Sequence, residues 1–148
     1  MKKFVFSLQA LFNYKETVEK MQKAELKKAQ HLLKELLSEE QRLLRAYATN
    51  ERSLEKALRD NINITAALSE HDAYFRFLRD ALKELRVRIV RAEQVVGECQ
   101  TRLMRTMKEI KTYNKLRDEQ YQEYMKEAQT EEEKEIGDLV SFNTIADS

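Results

Sequence analysis

The sequence predicts an all-α fold, a long two-helix antiparallel coiled-coil hairpin, and three observations support this. The chain has 148 residues, no proline and only two glycines, so few positions can interrupt a helix. Charged residues make up 36% of the chain and apolar residues 42%, a balance typical of a coiled coil and not of a large globular core. Apolar residues also recur at helical spacing in both halves. Such long helices must bury their apolar side against a partner helix.

The first helix is predicted over about residues 5–59. Its apolar residues are spaced alternately by four and seven: Leu32, Leu36, Leu43, Tyr47, Leu54 and Leu58. This is an eleven-residue repeat, which favours a straight or slightly right-handed winding. The first half of the chain is therefore expected to pack with a different period from a regular heptad coiled coil.

A bend is predicted over about residues 60–69. Asn61 and Asn63 compete with the helix there, because their side chains can bond to the nearby backbone. Ser69 with Asp72 three positions later resembles a capping box, which would start the second helix near residue 70. A bend at this place folds the chain back and lets its two helices pack antiparallel.

The second helix, predicted over about residues 70–131, has the clearest periodicity. One seam with alternating spacings of three and four is formed by Leu78, Leu82, Leu85, Ile89, Ala92, Val96, Cys99, Leu103, Thr106, Ile110 and Tyr113. This alternation keeps one side of the helix facing a partner over about five heptads. The predicted hairpin domain is residues 1–131, and residues 132–148 are expected to form an acidic, frayed tail.

The sequence offers no constellation for catalysis. His31 and Glu35 have a spacing that can hold a metal, but two ligands on a solvated helix favour a surface pair. Cys99 lies in the seam and is interpreted as a small hydrophobic residue. There is no glycine-rich phosphate loop and no nucleophile with a base. We expect no enzymatic activity, no metal and no cofactor.

The expected location is the cytoplasm. A single cysteine permits no intramolecular disulfide, which fits a reducing compartment. No stretch approaches the ~20 apolar residues that a membrane span needs. Residues 83–117 hold ten Lys or Arg against four Glu, but no aromatic residues interleave with them as a stacking platform would require. Nucleic acid is therefore not an expected partner.

Aromatic residues concentrate in two places. Near the two ends of the predicted hairpin domain stand Phe4, Phe6, Phe12, Tyr14, Tyr113, Tyr121 and Tyr124. Near the bend, Tyr74, Phe75, Phe77 and Leu78 follow one another too closely to face one seam together. Some apolar surface near the bend is therefore expected to stay exposed, and exposed aromatic side chains are typical anchors for protein partners.

Three segments of the chain together resemble one known family. They are FVFSLQALFNYKETVE from Phe4, YFRFLRDAL from Tyr74, and LRDEQYQEY from Leu116, which leads into the acidic tail. On these segments the chain is similar to the FliJ family, small coiled-coil components of the bacterial flagellar type III export apparatus. The resemblance covers the full length of the chain.

The resemblance implies a non-enzymatic stalk, peripheral at the inner membrane, that serves flagellar assembly and motility. In this family, one end of the hairpin inserts into the hexameric export ATPase and promotes assembly and activity of that ring. Family members also bind the export gate and escort chaperones. By position, the contacts with the ATPase ring would be Phe4, Phe6, Leu8, Leu11, Tyr113, Leu116 and Tyr121. The contacts with the export gate would be Leu43, Tyr47, Tyr74 and Phe77. The chain is expected to act as a monomer.

Two alternatives keep the predicted architecture. The first is the stalk of a non-flagellar type III secretion ATPase, which sequence alone separates poorly from a flagellar one. The second is a prefoldin-like or escort chaperone, whose hairpin tips hold clients. Because such chaperones normally oligomerise, the molecular mass in solution distinguishes the second alternative from a stalk.

Overall fold

The computed structural model describes residues 2–60 and 63–146, and it contains two long helices. Helix α1 spans Gln9–Arg59 and helix α2 spans Ile64–Ala146. The predicted bend residues Asn61 and Ile62, and the last two residues of the predicted tail, lie outside the described residues.

Helix α1 begins at Gln9 and not near residue 5. The backbone N–H of Gln9 donates to the carbonyl oxygen of Phe6 at 3.1 Å and starts the first turn. The side chain of Phe6 is only 4% exposed, and the ring of Phe4 packs against α2. The first residues therefore form a non-helical segment that is held by its aromatic side chains.

Helix α2 begins at Ile64, earlier than predicted, because Asn63 supplies its N-terminal cap. The side-chain Oδ1 of Asn63 accepts a hydrogen bond from the backbone N–H of Ala66 at 3.4 Å, and its carbonyl oxygen accepts one from Ala67 at 3.1 Å. The capping box expected at Ser69 is wrong, since Ser69 lies inside the helix. Hydrogen bonding between an asparagine side chain and the nearby backbone had predicted a break in the helix. At Asn63 this bonding caps the helix and starts it.

Helix α2 continues to Ala146, through the described part of the predicted tail. All of residues 131–146 are exposed. The segment is rich in Glu and contains no proline, so nothing in it stops the helix that precedes it.

The chain divides into two compact units. The first, here called the leucine unit, is Gln22–Arg102, and the second, called the terminal unit, is Met1–Met21 with Leu103–Ser148. Contacts between α1 and α2 in the leucine unit include Glu40 with Arg86, Tyr47 with Phe75, and Asn50 with His71. In the terminal unit they include Phe12 with Arg117 and Lys15 with Glu109. From one contact to the next, the residue number on α1 rises as that on α2 falls, so the helices are antiparallel in both units. The predicted fold class is confirmed.

The seam of α2 is the predicted one, since each of its eleven positions is buried or half-buried. The repeat predicted for α1 is wrong, because Leu32 is 50% exposed and Leu58 is 38% exposed. The seam of α1 has alternating spacings of three and four, like that of α2: Phe12, Lys15, Glu19, Gln22, Leu26, Ala29, Leu33, Leu36, Glu40, Leu43, Tyr47, Asn50, Leu54 and Ala57. Five of these residues are polar, so a pattern of apolar residues alone could not find the heptad.

Candidate partner-binding surfaces

Two of the four residues predicted to contact the export gate lie inside the leucine unit. Leu43 is 7% exposed and belongs to the core that Leu36, Leu78 and Leu82 also form. Tyr47 is half-buried, and its ring centroid lies 4.7 Å from that of Phe75 on α2. Most of the surface of both residues is therefore buried between the two helices.

The other two residues, Tyr74 and Phe77, form an exposed aromatic pair on α2. Tyr74 is 43% exposed and Phe77 is 63% exposed, and their rings stack at 6.3 Å with planes 14° apart. Leu78 beside them is only 1% exposed. The expectation that apolar surface near the bend stays exposed is confirmed. Aromatic rings held in this way can bury a large area at an interface with little loss of side-chain entropy.

A shallow groove runs beside Phe77 in the leucine unit. Leu43, Ala81 and Leu85 contribute its apolar surface, and Arg42 and Arg88 stand among its charged residues. Arg42 is fixed by two hydrogen bonds to the carboxylate of Glu39, at 2.9 and 2.5 Å. These bonds lower the pKa of the Glu39 carboxyl from its ordinary value. An apolar floor with a charged rim suits a partner's apolar side chain that is flanked by polar groups.

The terminal unit contains the residues predicted to contact the ATPase ring. Phe4 packs against Tyr121 and Tyr124, with ring centroids 5.2 and 5.5 Å away. The hydroxyl of Tyr124 donates to the carbonyl oxygen of Lys2 at 2.6 Å. Phe6 is buried, so it belongs to the core of this unit and presents no surface to a partner. The segment before α1 is thus fastened to α2 mainly by aromatic contacts.

Only part of the predicted ring-contact set faces outward. Leu11 is 41% exposed and Tyr121 is 44% exposed, whereas Phe4, Leu8, Tyr113 and Leu116 are half-buried. The predicted set omitted Val5 and Tyr14, which are 77% and 61% exposed. Tyr14 could have been noticed, because it lies between the seam positions Phe12 and Lys15, whereas Val5 precedes α1 and no helical pattern applies to it. Val5, Leu11, Tyr14 and Tyr121 therefore belong to the exposed apolar surface of this unit.

The described residues include neither a cluster of metal-ligating side chains nor a membrane-spanning stretch. Within residues 2–60 and 63–146, no three His, Cys, Asp or Glu side chains are grouped to hold a metal. His31 and Glu35 form an exposed pair at 3.0 Å, with 71% and 62% of their side chains accessible. Over the same part of the chain, neither helix has an apolar stretch that would reach across a membrane.

The comparison with known protein families identifies the chain. The family described as "Flagellar FliJ protein" matches residues 4–146, which include both helices. Neither the curated proteins nor the solved structures contain a significant match. A match over this much of the chain agrees with the three resembling segments at the start, the middle and the end of the sequence. The chain therefore belongs to the flagellar FliJ protein family.

Proposed function

We propose that this protein is the coiled-coil stalk of the flagellar type III export apparatus, which binds the hexameric export ATPase ring and promotes its assembly and activity. Membership of the FliJ family makes the chain a flagellar, export-associated coiled-coil protein, and this match is the observation that carries the proposal. The match also favours the flagellar system over a non-flagellar secretion ATPase. Members of this family are structural export components without enzymatic activity.

In the proposed mechanism the terminal unit binds the ring, and Leu11 and Tyr121 are the contacts with the most exposed surface in the predicted set. If the stalk binds the assembled ring more tightly than it binds the separate subunits, it shifts the equilibrium toward assembly of the ring. The half-buried Phe4, Leu8, Tyr113 and Leu116 would contribute their accessible edges, and the buried Phe6 would hold the unit together.

The leucine unit is proposed to contact the export gate. Tyr74 and Phe77 are the direct contacts in this proposal, because their rings are exposed and stacked. Leu43 lies along the groove beside Phe77, and Tyr47 packs against Phe75, so both would act mainly by positioning the surface. Escort chaperones are further proposed partners. The protein would be cytoplasmic, reach the inner membrane only through these partners, and act on the ring as a single copy.

The first test mixes the purified protein with the export ATPase of the same organism and follows ring assembly and ATP hydrolysis. Saturable stimulation is expected from the wild type. Leu11→Glu with Tyr121→Glu should abolish it, and far-ultraviolet circular dichroism checks that the variant stays folded, since the ring of Tyr121 also packs against Phe4. Ser38→Glu with Ala48→Glu is the matched control, since it also adds two acidic groups, at exposed positions of the leucine unit. An absence of stimulation by the wild type would contradict the stalk proposal.

The second test measures binding of the cytoplasmic domain of the export gate. Tyr74→Ala and Phe77→Ala are each expected to weaken binding about tenfold, since truncation of an aromatic anchor typically costs 1–2 kcal/mol or more. Leu68→Ala is a control of similar exposure, at 46%, on the same helix and in the same unit. If all three variants bind like the wild type, the gate contact does not lie on this aromatic pair.

A further inference from the structure

The outward side of α2 in the terminal unit carries a row of cations. Arg105, Lys108, Lys111 and Lys115 are all exposed, and we call them the basic stripe. At about 100° per residue they fall within about a third of the helix circumference, opposite the seam. Their spacings of three, three and four residues correspond to rises of about 4.5, 4.5 and 6 Å along the helix. The basic stripe is thus a straight row of charge, about 15 Å long, that faces solvent.

No acidic side chain balances the basic stripe. Residues 104–117 hold five Lys or Arg against one Glu, whereas residues 83–102 of the same helix hold five against three. The one acid, Glu109, is already paired with Lys15 on α1. The fifth cation, Arg117, lies over an aromatic ring of α1. None of the four side chains of the basic stripe forms an ion pair in the part of the chain that the structure describes.

The four cations repel one another along the helix. Each is separated from the next by three or four residues, the spacing at which side chains on a helix surface meet. Like charges at this spacing destabilise a helix, and the basic stripe contains three such pairs. A single Glu on this side of α2 would relieve the repulsion. A local cost without a compensating contact is typical of a functional surface, so we expect an anionic partner here.

The other residues on this side of α2 narrow the class of anionic partner. The only aromatic residue between Met104 and Lys115 is Tyr113, which is half-buried in the seam, so no ring is free to stack on a base. Met104, at 58% exposed, is the one apolar side chain beside the basic stripe. A helix that lies in a bilayer surface inserts a whole apolar side, and the apolar side of α2 is packed in the seam. An acidic protein is therefore a better match than nucleic acid or a lipid surface.

The spacing of the basic stripe matches an acidic helix. A helix with Asp or Glu at every third or fourth position presents carboxylates at rises of about 4.5–6 Å, as the basic stripe presents its cations. An extended acidic peptide repeats its side chains on one side at about 7 Å and falls out of step with the basic stripe. The exposed Met104 offers an apolar contact beside the charges, and a methionine side chain adapts its shape to a partner.

We propose that the basic stripe binds an acidic helix of a partner protein. Asp and Glu side chains of that helix pair with the four cations, and an apolar side chain of the partner packs on Met104. Charge pairs of this kind set the rate of association and the choice of partner. The basic stripe shares no residue with the contacts proposed for the ATPase ring and the export gate, and the inference does not depend on either proposal.

The test measures binding of two synthetic peptides to the full chain by isothermal titration calorimetry. Both peptides are cross-linked so that they stay helical, and both have the same composition. In the first, Glu recurs at every third or fourth position on one side, with one Leu among them; in the second, the same residues are distributed around the helix. The first should bind about tenfold more tightly, because only it can form all four ion pairs together. Equal affinities would overturn the proposal, since net charge alone would then account for binding.

A variant of the basic stripe shows whether the first peptide binds there. Replacement of all four cations by glutamine, a good helix former, should weaken its binding about tenfold. The matched control also replaces one Arg and three Lys, at exposed positions of α1 in the leucine unit, and should bind like the wild type: Lys27→Gln, Lys28→Gln, Lys34→Gln and Arg45→Gln. Far-ultraviolet circular dichroism checks that both variants stay folded. Equal losses in the two variants would overturn the proposal.

Two further probes separate an acidic helix from other polyanions. Single-stranded DNA of the same net charge as the peptide, and vesicles that contain phosphatidylglycerol, should bind the wild type more weakly than the first peptide at about 0.15 M salt. If DNA binds more tightly than the peptide and the variant of the basic stripe loses this binding, the surface is a nucleic-acid site and the proposal is overturned. The same result with vesicles would assign the basic stripe to a membrane surface and overturn it as well.

Discussion

The leucine unit and the terminal unit both pack α1 against α2, but their buried layers differ in composition. The buried residues of the leucine unit are mostly aliphatic: Leu36, Leu43, Leu78, Leu82, Leu85, Ile89 and Ala92. In the terminal unit the buried residues are Phe6, Phe12, Leu103 and Thr106. The guanidinium of Arg117 lies 5.1 Å from the centre of the Phe12 ring, and the ion pair between Lys15 and Glu109, at 2.5 Å, is shorter than the one between Glu40 and Arg86 in the leucine unit, at 3.4 Å. Aliphatic layers thus dominate in the leucine unit, and aromatic and polar contacts have a larger share in the terminal unit.

Because of this difference in composition, the stability of the two units should depend differently on pH and salt. Aliphatic burial is non-directional and depends on the apolar area removed from water, so pH and salt change it little. Ion pairs and cation–π contacts depend on charge and geometry, and they weaken when a group loses its charge. Truncation of a buried side chain in the leucine unit should therefore cause the largest loss in the free energy of unfolding. The stability of the terminal unit should show the clearest dependence on pH.

The largest expected effect is that of Leu78→Ala in the leucine unit. Leu78 is 1% exposed, and its truncation leaves a cavity between the helices, so the free energy of unfolding should fall by about 2–5 kcal/mol. Urea unfolding followed by far-ultraviolet circular dichroism measures this change. Val90→Ala, at a site that is 53% exposed, should cost under about 0.5 kcal/mol. Equal losses in the two variants would contradict the assignment of Leu78 to the core.

The buried seam was predicted correctly for α2 and wrongly for α1, and both outcomes have one physical cause. The seam of α2 is almost wholly apolar, so its spacing alone predicts which side of the helix is buried. In α1, Gln22, Glu40 and Asn50 occupy seam positions, while Leu32 lies outside the seam and is half exposed. The carboxylate of Glu40 reaches Arg86 across the interface, and the amide of Asn50 bonds to the backbone of His71, so polarity did not exclude these residues from the seam. A search for heptads that tolerated polar members would have found this register.

The candidate surfaces were predictable only in part. The crowding of Tyr74, Phe75 and Phe77 indicated exposed aromatic surface, and two of these rings are exposed. Leu43 and Tyr47 were assigned to the same surface by resemblance, yet they pack between the helices. The predicted repeat of α1 had already placed both residues on the packed side, so the assignment came from the resemblance alone and not from the helical pattern. Position within a family does not by itself say how much of a side chain the packing between the helices leaves accessible.

Asn50 is the exception within the leucine unit, and its replacement should have a smaller effect than that of Leu78. Its side chain is 8% exposed and donates to the carbonyl oxygen of His71 at 3.1 Å. Asn50→Ala removes this bond and should lower the free energy of unfolding by about 1–2 kcal/mol. Ser53→Ala is a control nearby, because Ser53 is exposed and its contact with His71 is longer, at 3.3 Å. If Asn50→Ala were as stable as the wild type, the bond across the helices would contribute nothing.

The smallest expected effect tests the terminal unit, where Lys15 pairs with Glu109 at 2.5 Å. The hydrogen bond to Glu109 raises the pKa of Lys15 above its ordinary value of 10.5. A raised lysine pKa contributes stability that is fully present below 10.5 and is lost as pH rises through the folded-state value. Lys15→Met should therefore lower the urea midpoint near neutral pH, and its difference from the wild type should shrink in strongly alkaline solution. Lys20→Met, at an exposed position of the same helix, controls for general effects of alkali, because its difference from the wild type should not follow this pattern. A difference for Lys15→Met that is the same at all pH values would mean that the charge of Lys15 does not stabilise this unit. The contrast between the two units would then rest on the aromatic packing and on the cation–π contact of Arg117 with Phe12.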